Sequence, residues 1–263
     1  MRFLALLLIA LGATTFAQST GSKTELTPVF WQRDPEANFE DEGRMHCAPT
    51  SVSDGLIYLA RTKGMDDLVP GTSHDSQIEL IQDLAEKFGT DPSIGGTNPD
   101  KILTGLQDYA KSKRYTLSRL ELKTWRGVRA ANKKFKIGTK PDMGWMRKAA
   151  HDKDTVVIFN FGWYHENGDS YVRKGGHWVE VVDTGDEENG FTVHNPLLQP
   201  DRQQHDTSVT LTLIDDDVSV TNDTDDSEKN MKGYYEADGP GLPHGETVKP
   251  ILDAVIVFSL SKE

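Results

Sequence analysis

Cys47 is the only cysteine in this chain of 263 residues, so no disulfide within the chain can hold its fold together. The thiol must then be buried and inert, paired with another chain, or reactive. Cys47 opens an amphipathic run with Val52, Leu56 and Leu59 on one face, which predicts a helix that begins at the thiol. The helix dipole and free backbone N–H groups at that position stabilise a thiolate. The pattern therefore favours a reactive cysteine.

The N-terminus has the pattern of an export signal. Arg2 precedes an apolar segment, and small residues ending at Ala17 suit cleavage before Gln18. We therefore expect residues 1–17 to be a cleaved signal peptide and the protein to be secreted or periplasmic. No cysteine lies directly after the apolar segment, which excludes lipid attachment of the bacterial lipoprotein kind. No later segment approaches the roughly 20 consecutive apolar residues of a spanning helix, so we expect no membrane anchor.

The charge balance of the chain argues against nucleic acid as a partner. The formal net charge is −12 at pH 7, whereas phosphate binding requires clustered Lys and Arg. A short basic run at Lys133, Lys134, Lys136 and Lys140 is typical of a solvated surface.

The spacing of apolar residues changes once along the chain and predicts an α+β fold. From Cys47 to His151 these residues recur at helical spacing, and from Thr155 onward they form short β-branched and aromatic runs. No linker rich in Pro, Gly or Ser divides the chain, so we expect residues 18–263 to form a single domain. N-terminal helices would pack on a C-terminal antiparallel β-sheet.

Caps and turns predict the individual elements. One helical stripe ends at Gly89, Asn98 and Pro99 begin a second helix, and Asp142 caps a third that runs through His151. Strands are predicted over residues 156–159, 178–182, 191–193, 209–213 and 255–260.

A cysteine nucleophile needs a base within hydrogen-bond reach and a third group that orients the base. Among eight histidines, His177 stands at the start of a predicted strand directly after Gly175 and Gly176, which allow close approach to the imidazole. Asn195 lies at the end of the next predicted strand, where its amide oxygen could accept from the imidazole. The pattern predicts a triad of Cys47, His177 and Asn195.

Other residues compete for parts of this role. His46 and His194 are rival bases, although His194 should face away from Asn195 because side chains alternate along a strand. Trp163, Tyr164, Tyr171 and Trp178 are expected to be core aromatics. Trp178 is also a candidate to shield the hydrogen bond between His177 and Asn195 from water.

The triad residues also carry a family resemblance. His177 follows Cys47 by 130 residues and Asn195 follows it by 148, within the range of about 130 to 150 described for papain-like enzymes. Three segments resemble blocks of the papain-fold cysteine peptidases of the C39-like group: Cys47-Ala48-Pro49-Thr50-Ser51, Gly176-His177-Trp178-Val179 and His194-Asn195-Pro196.

The resemblance spans residues 47–197 and implies a papain-like fold. It implies Cys47 as nucleophile, His177 as general base and then acid, and Asn195 as the orienting group. The reaction would cleave peptide or isopeptide bonds of a peptide or protein substrate through a thioester, with no metal or organic cofactor.

The chain departs from the family pattern at the oxyanion donor. The family usually has a glutamine shortly before the cysteine, where this chain has Asp41, and a carboxylate would repel the developing oxyanion. Gln32 is the predicted donor if residues 33–46 form an inserted loop, and Asn38 is a weaker alternative. Ala48 replaces the family glycine, which a helix start tolerates.

Three hypotheses follow. The first is a secreted cysteine peptidase. The second is a catalytically silent relative that binds peptides or acts as an interaction module, because the usual glutamine is missing. The third is another thiol acyltransferase or a cell-wall amidase, and it is least favoured because those families place the histidine much closer to the cysteine.

Overall fold

The computed structural model describes residues 21–126, 136–138, 140–199, 201, 207–222, 227–243 and 245–262. The predicted signal peptide and residues 133 and 134 of the basic run lie outside the described residues. The helices are α1 (Lys23–Leu26), α2 (Cys47–Lys63), α3 (His74–Phe88), α4 (Pro99–Ser112) and α5 (Met143–His151). The strands are β1 (Tyr115–Thr124), β2 (Lys136–Gly138), β3 (Val156–Asn167), β4 (Ser170–Asp183), β5 (Gly190–His194), β6 (Ser208–Leu213), β7 (Ser219–Thr221), β8 (Glu228–Asn230), β9 (Tyr235–Asp238) and β10 (Val248–Lys262).

The predicted helices form where their end signals lie. α2 begins at Cys47, and α3 ends before Gly89, which adopts the left-handed conformation that glycine tolerates best. The carboxylate of Asp142 accepts from the backbone N–H of Trp145 at 2.9 Å and so caps α5. None of the helices in the described ranges combines the length and apolarity that crossing a bilayer requires.

The predicted order of helices followed by an antiparallel sheet is wrong in two respects. β1 and β2 lie within the segment expected to be helical, and β1 pairs along its length with β10. A bulge between Leu117 and Arg119 interrupts the alternation of apolar residues in β1, which hides its strand period in the sequence. The sheet is also mixed, because β1 pairs with β2, and β4 with β7, in parallel.

Six of the described strands pair in a closed circuit, in the order β10, β3, β4, β5, β6, β9 and back to β10. Side chains at alternate positions fill its interior, among them Phe159, Phe161, Val181, Val193 and Leu211. The intervening residues of β3 and β10 face the helices and form a second core with α2, α3 and α4. These strands are apolar on both faces because both faces are buried. The result is an α+β fold in which α2 lies against β4.

Candidate active site

Cys47 is the first residue of α2, and this end of the helix is held on β4. The hydroxyl of Ser51 donates to the carbonyl of Trp178 at 3.1 Å. The backbone N–H of the same Trp178 favours the thiolate form of Cys47. Because Trp178 directly follows His177, the structure brings the predicted nucleophile beside the backbone that carries the predicted base.

The sulfur of Cys47 is more enclosed than the sequence suggests. The residue is 9% exposed and belongs to the core between the helices and the sheet. Burial raises the pKa of the Cys47 thiol to about 11, although the backbone N–H groups of Trp178, Ala48 and Cys47 itself favour the thiolate. The effect of burial on the thiol pKa is therefore larger than the opposing effect of the helix start, and the Cys47 thiol is neutral at ordinary pH.

His177 and Asn195 form the predicted hydrogen bond, with 2.7 Å between Nε2 of the imidazole and Oδ1 of the amide. The amide is fixed by two further bonds. Its Oδ1 accepts from the backbone N–H of Leu197 at 3.0 Å, and its Nδ2 donates to the carbonyl of Pro240 at 3.0 Å. A backbone N–H can only donate and a carbonyl can only accept, so these partners decide which end of the Asn195 amide faces the histidine.

The orientation of Asn195 in turn sets the tautomer of His177. Since Oδ1 is an acceptor, Nε2 of His177 must carry the proton, and Nδ1 of the neutral ring keeps its lone pair. Burial lowers the pKa of His177 to about 4, against the opposing effect of the Asn195 bond. The imidazole is therefore neutral at ordinary pH and able to accept a proton at Nδ1.

Trp163 is the aromatic ring that covers the histidine. Its ring stacks on that of His177 with 6.3 Å between centroids and 21° between planes. The side chain of Trp178 does not take this place, because it packs in the helical core and its indole N–H donates to the carbonyl of Thr97 at 3.3 Å. The prediction that Trp178 shields the hydrogen bond is therefore wrong, and the ring that lies against His177 is Trp163. β3 supplies Trp163 by pairing along β4.

Gln32, the predicted oxyanion donor, is fully buried close to the turn before Cys47. Its Nε2 donates to the carbonyls of Gly43 and Arg44, both at 2.9 Å. Both amide hydrogens are therefore used, and donation to an oxyanion would require the exchange of one of these bonds. Asp41 is exposed with its carboxylate 4.0 Å from the guanidinium of Arg44, and Asn38 is also exposed.

The two rival histidines have other roles. His46 stacks on Phe39 with 4.7 Å between centroids, and burial lowers its pKa. His194 donates from Nδ1 to the carbonyl of Pro28 at 3.0 Å, which fits the expectation that it faces away from Asn195. Neither contact directs an imidazole toward Cys47.

Two supports of the site were not anticipated from the sequence. The first is the loop at Pro240 and Gly241, which holds the Asn195 amide; a Cβ on Gly241 would lie 2.7 Å from Nδ2 of Asn195. The run Gly239-Pro240-Gly241 indicates a turn, but its partner is far away in sequence. Only the fold reveals that this turn contacts the site.

The second support is a buried ion pair beside the histidine strand. Arg173 donates from Nε to the Asp253 carboxylate at 2.6 Å, and a Cβ on Gly176 would lie 2.3 Å from the Arg173 guanidinium. Gly176 thus leaves space for this arginine directly before His177. A single aspartate within the apolar run of β10 is the sequence signal that could have indicated a buried partner.

One group in the described part of the chain has the spacing of metal ligands. Atoms of Asp34, Glu36 and His74 lie within 4.8 Å of one another. These side chains are half or fully exposed, and His74 forms an ion pair with Asp34 at 2.8 Å. An ordinary surface ion pair accounts for the cluster.

Comparison of the chain with protein-family models and with curated proteins finds no match. Function is therefore argued from the geometry of the site.

Proposed function

We propose that this chain is a cysteine peptidase of the papain-like, C39-like kind. The observation that carries the proposal is the hydrogen bond between His177 Nε2 and Asn195 Oδ1. The carbonyl of Trp178, the residue after His177, accepts from the Ser51 hydroxyl of the helix that begins at Cys47. A base with a fixed tautomer is the element that nucleophilic cysteine chemistry needs in addition to the thiol.

The proposed reaction begins with a neutral pair. Nδ1 of His177 accepts the thiol proton as the Cys47 sulfur attacks the carbonyl carbon of a peptide or isopeptide bond. The resulting imidazolium keeps its bond to Asn195 and then gives the proton to the leaving amine, so that a thioester remains on the sulfur. Water, deprotonated by His177, hydrolyses the thioester and restores the thiol. The residues alone supply every proton transfer in this scheme.

The tetrahedral intermediate carries its negative charge on the former carbonyl oxygen. As the first residue of α2, Cys47 has a backbone N–H without an intrahelical acceptor, and this group is the first proposed donor to the oxyanion. The start of the helix adds the positive end of its dipole at the same point.

The substrate class follows from the same proposal. The substrate is a peptide or protein, and the protein meets it outside the cytoplasm, in the periplasm or after secretion, if the predicted signal peptide is cleaved.

A thiol-directed peptide electrophile, such as a peptidyl epoxide, tests the proposal. Because the chain has one cysteine, a mass increase of one adduct assigns the label to Cys47 without mapping. We expect His177→Ala to lose this labelling together with hydrolysis of a peptide library. The exposed His165 offers a matched control, and His165→Ala should label and hydrolyse like the wild type. Equal hydrolysis by the wild type and by Cys47→Ala would refute the proposal.

A catalytically silent peptide-binding protein is the second candidate. The observation that favours it is the use of both Gln32 amide hydrogens in bonds to backbone carbonyls, which leaves the second oxyanion donor unassigned. This candidate predicts that the wild type binds peptides with the same affinity as Cys47→Ala and releases them uncleaved. Isothermal titration with both proteins, followed by mass analysis of the peptide, separates it from the peptidase.

A further inference from the structure

Gln32 has a side-chain amide whose orientation is dictated by its partners. Its Nε2 faces the carbonyls of Gly43 and Arg44, which can only accept. The opposite orientation would direct Oε1 at two carbonyl oxygens. Oε1 itself has no hydrogen-bond partner among the described residues. The side chain is completely buried, so this arrangement is held by packing as well as by its two bonds.

The backbone around Gln32 contacts the strand end that carries Asn195. The N–H of Gln32 donates to the carbonyl of Pro196 at 2.9 Å. A few residues earlier, the carbonyl of Pro28 accepts from His194. The segment from Pro28 to Gln32 is therefore bonded to both neighbours of Asn195 in the chain.

The side chain of Gln32 contacts the other half of the site. The carbonyl of Gly43 accepts from Gln32 and also from the backbone N–H of His46 at 3.0 Å, and His46 directly precedes Cys47. Gly43 fits closely against the same residue, since a Cβ there would lie 1.7 Å from the Gln32 carbonyl oxygen. Gly43 also has φ +72°, so glycine is required on two grounds.

We propose that Gln32 is a positioning residue that fixes the strand end carrying Asn195 relative to the turn that begins the Cys47 helix. This inference rests on the proposed peptidase function and departs from the sequence-based prediction of an oxyanion donor. Through its backbone N–H and its side-chain amide, Gln32 fixes the position of the Cys47 sulfur relative to the His177 imidazole, which Asn195 orients. The second oxyanion donor is then a different group.

The two roles differ at a measurable step. Alkylation by iodoacetamide displaces iodide from a saturated carbon and develops no oxyanion, so an oxyanion donor does not affect its rate. A positioning residue does affect it, because the approach of Cys47 to His177 sets the reactivity of the thiol.

The experiment compares Gln32→Met with the wild type. The second-order rate constant for alkylation of Cys47 is measured from pH 4 to pH 11, in roughly unit steps, because this range extends between the pKa values of His177 and Cys47. The value of kcat/KM for peptide hydrolysis and the unfolding temperature are measured on the same proteins. We expect alkylation and kcat/KM to change in parallel, each by roughly tenfold or more, with a shifted pH profile of alkylation. Gln77 is the matched control, because it is a buried glutamine whose amide bonds to Ser53 and Asp54 within α2. Gln77→Met should preserve the pH profile of alkylation.

Unchanged alkylation with a fall in kcat/KM of about 100- to 1000-fold would identify Gln32 as an oxyanion donor and overturn the inference. Unchanged values of both would also overturn it. If the wild type hydrolyses no peptide, the proposed function fails, whereas the alkylation profile still decides whether Gln32 governs the thiol.

A measurement on the unmodified protein covers the case in which Gln32→Met does not fold. The side-chain amide protons of Gln32 are followed by NMR before and after a peptide aldehyde forms a hemithioacetal with Cys47. We expect slow exchange with solvent and unchanged shifts of these protons. Fast exchange in the free protein, or a large shift in the adduct, would contradict the positioning role.

Discussion

The side-chain amide of Asn195 determines which nitrogen of His177 carries the proton. The amide oxygen is defined by the N–H of Leu197 and the amide nitrogen by the carbonyl of Pro240, so the oxygen meets Nε2 of the histidine at 2.7 Å. This geometry leaves Nδ1 as the basic nitrogen. The position of one asparagine thus sets the chemical role of the ring.

Asn195→Ala should therefore lower kcat without abolishing hydrolysis. The variant loses control of the tautomer and of the ring orientation, and we expect a fall of about 10- to 100-fold, because misplacement by about 1 Å can cost 100-fold. It also leaves the buried imidazole N–H of His177 without its partner, which should lower the free energy of unfolding by about 1–3 kcal/mol. Steady-state kinetics and urea unfolding measure the two effects. Asn230→Ala, at an exposed position, should change neither, and complete inactivity of a folded Asn195→Ala protein would contradict the orienting role.

The pH dependence of hydrolysis should reflect the burial of the site. Protonated His177 cannot accept the thiol proton, so activity should be present above its pKa of about 4 and be lost as the pH falls through that value. The Cys47 thiol stays protonated up to about pH 11, so activity should not change near the ordinary thiol pKa of about 8.5. A profile of kcat/KM against pH tests both limits. An acid limit near the ordinary histidine value of about 6.5 would mean that the His177 ring is solvated during the proposed reaction.

Gly241→Ala should impair the site more than the fold. Gly241 has φ +77°, and an added Cβ would meet the Asn195 amide nitrogen at 2.7 Å. Gly168 is a matched control, since it has φ +63° and open space where the Cβ would lie. Both alanine variants should lose about 1–2 kcal/mol of unfolding free energy through backbone strain.

Only Gly241→Ala should also reduce kcat/KM, by about tenfold or more, because it displaces the residue that orients His177. Thermal unfolding and steady-state kinetics of the two variants provide the comparison. Equal catalytic effects of the two substitutions would mean that the Pro240 loop does not support the site.

Glu180 should make the protein less stable as the pH rises. Its carboxylate is completely buried on β4, and neither oxygen has a hydrogen-bond partner among the described residues. Burial raises the pKa of Glu180 to about 8, although the charge of Lys23 opposes the shift. The folded state therefore holds this proton more tightly than the unfolded state. Its contribution to stability is fully present below the unfolded pKa, about 4.5, and is lost as the pH rises through about 8.

The unfolding free energy of the wild type relative to Glu180→Gln should fall from pH 4.5 to pH 8. The fall amounts to about 1.4 kcal/mol for each unit of difference in pKa between the folded and unfolded states. Urea unfolding of both proteins at several pH values measures the difference, in which the titrations of groups remote from Glu180 cancel. A pH-independent difference for Glu180→Gln would contradict the prediction.

Much of the fold follows from local signals. α2 begins, α3 ends and α5 both begins and ends where caps, glycine and apolar spacing predict, because helical hydrogen bonds and caps join residues near in sequence. β1 was missed because its bulge breaks the alternation that marks a strand, and its pairing with β10 joins residues more than a hundred positions apart. The residue types of the proposed triad were also available from sequence. His177, predicted at the start of a strand, lies instead inside β4, because the strand extends back to Ser170 through its pairing with β3.

The amino-acid sequence by itself determined the α+β class and the helix that begins at Cys47. It also identified His177 and Asn195 as a candidate hydrogen-bonded pair. Only the tertiary structure decided that Trp163 covers the histidine, that Pro240 fixes the Asn195 amide and that both Gln32 hydrogens are already bonded. It also decided that the Cys47 thiol is neutral, because burial opposes the effect of the helix start. The physical reason is the same in each case. Residue types are given by the sequence itself, and helix starts are set by near neighbours in the chain. Burial and the choice of hydrogen-bond partner depend on segments that come into contact only when the chain has folded.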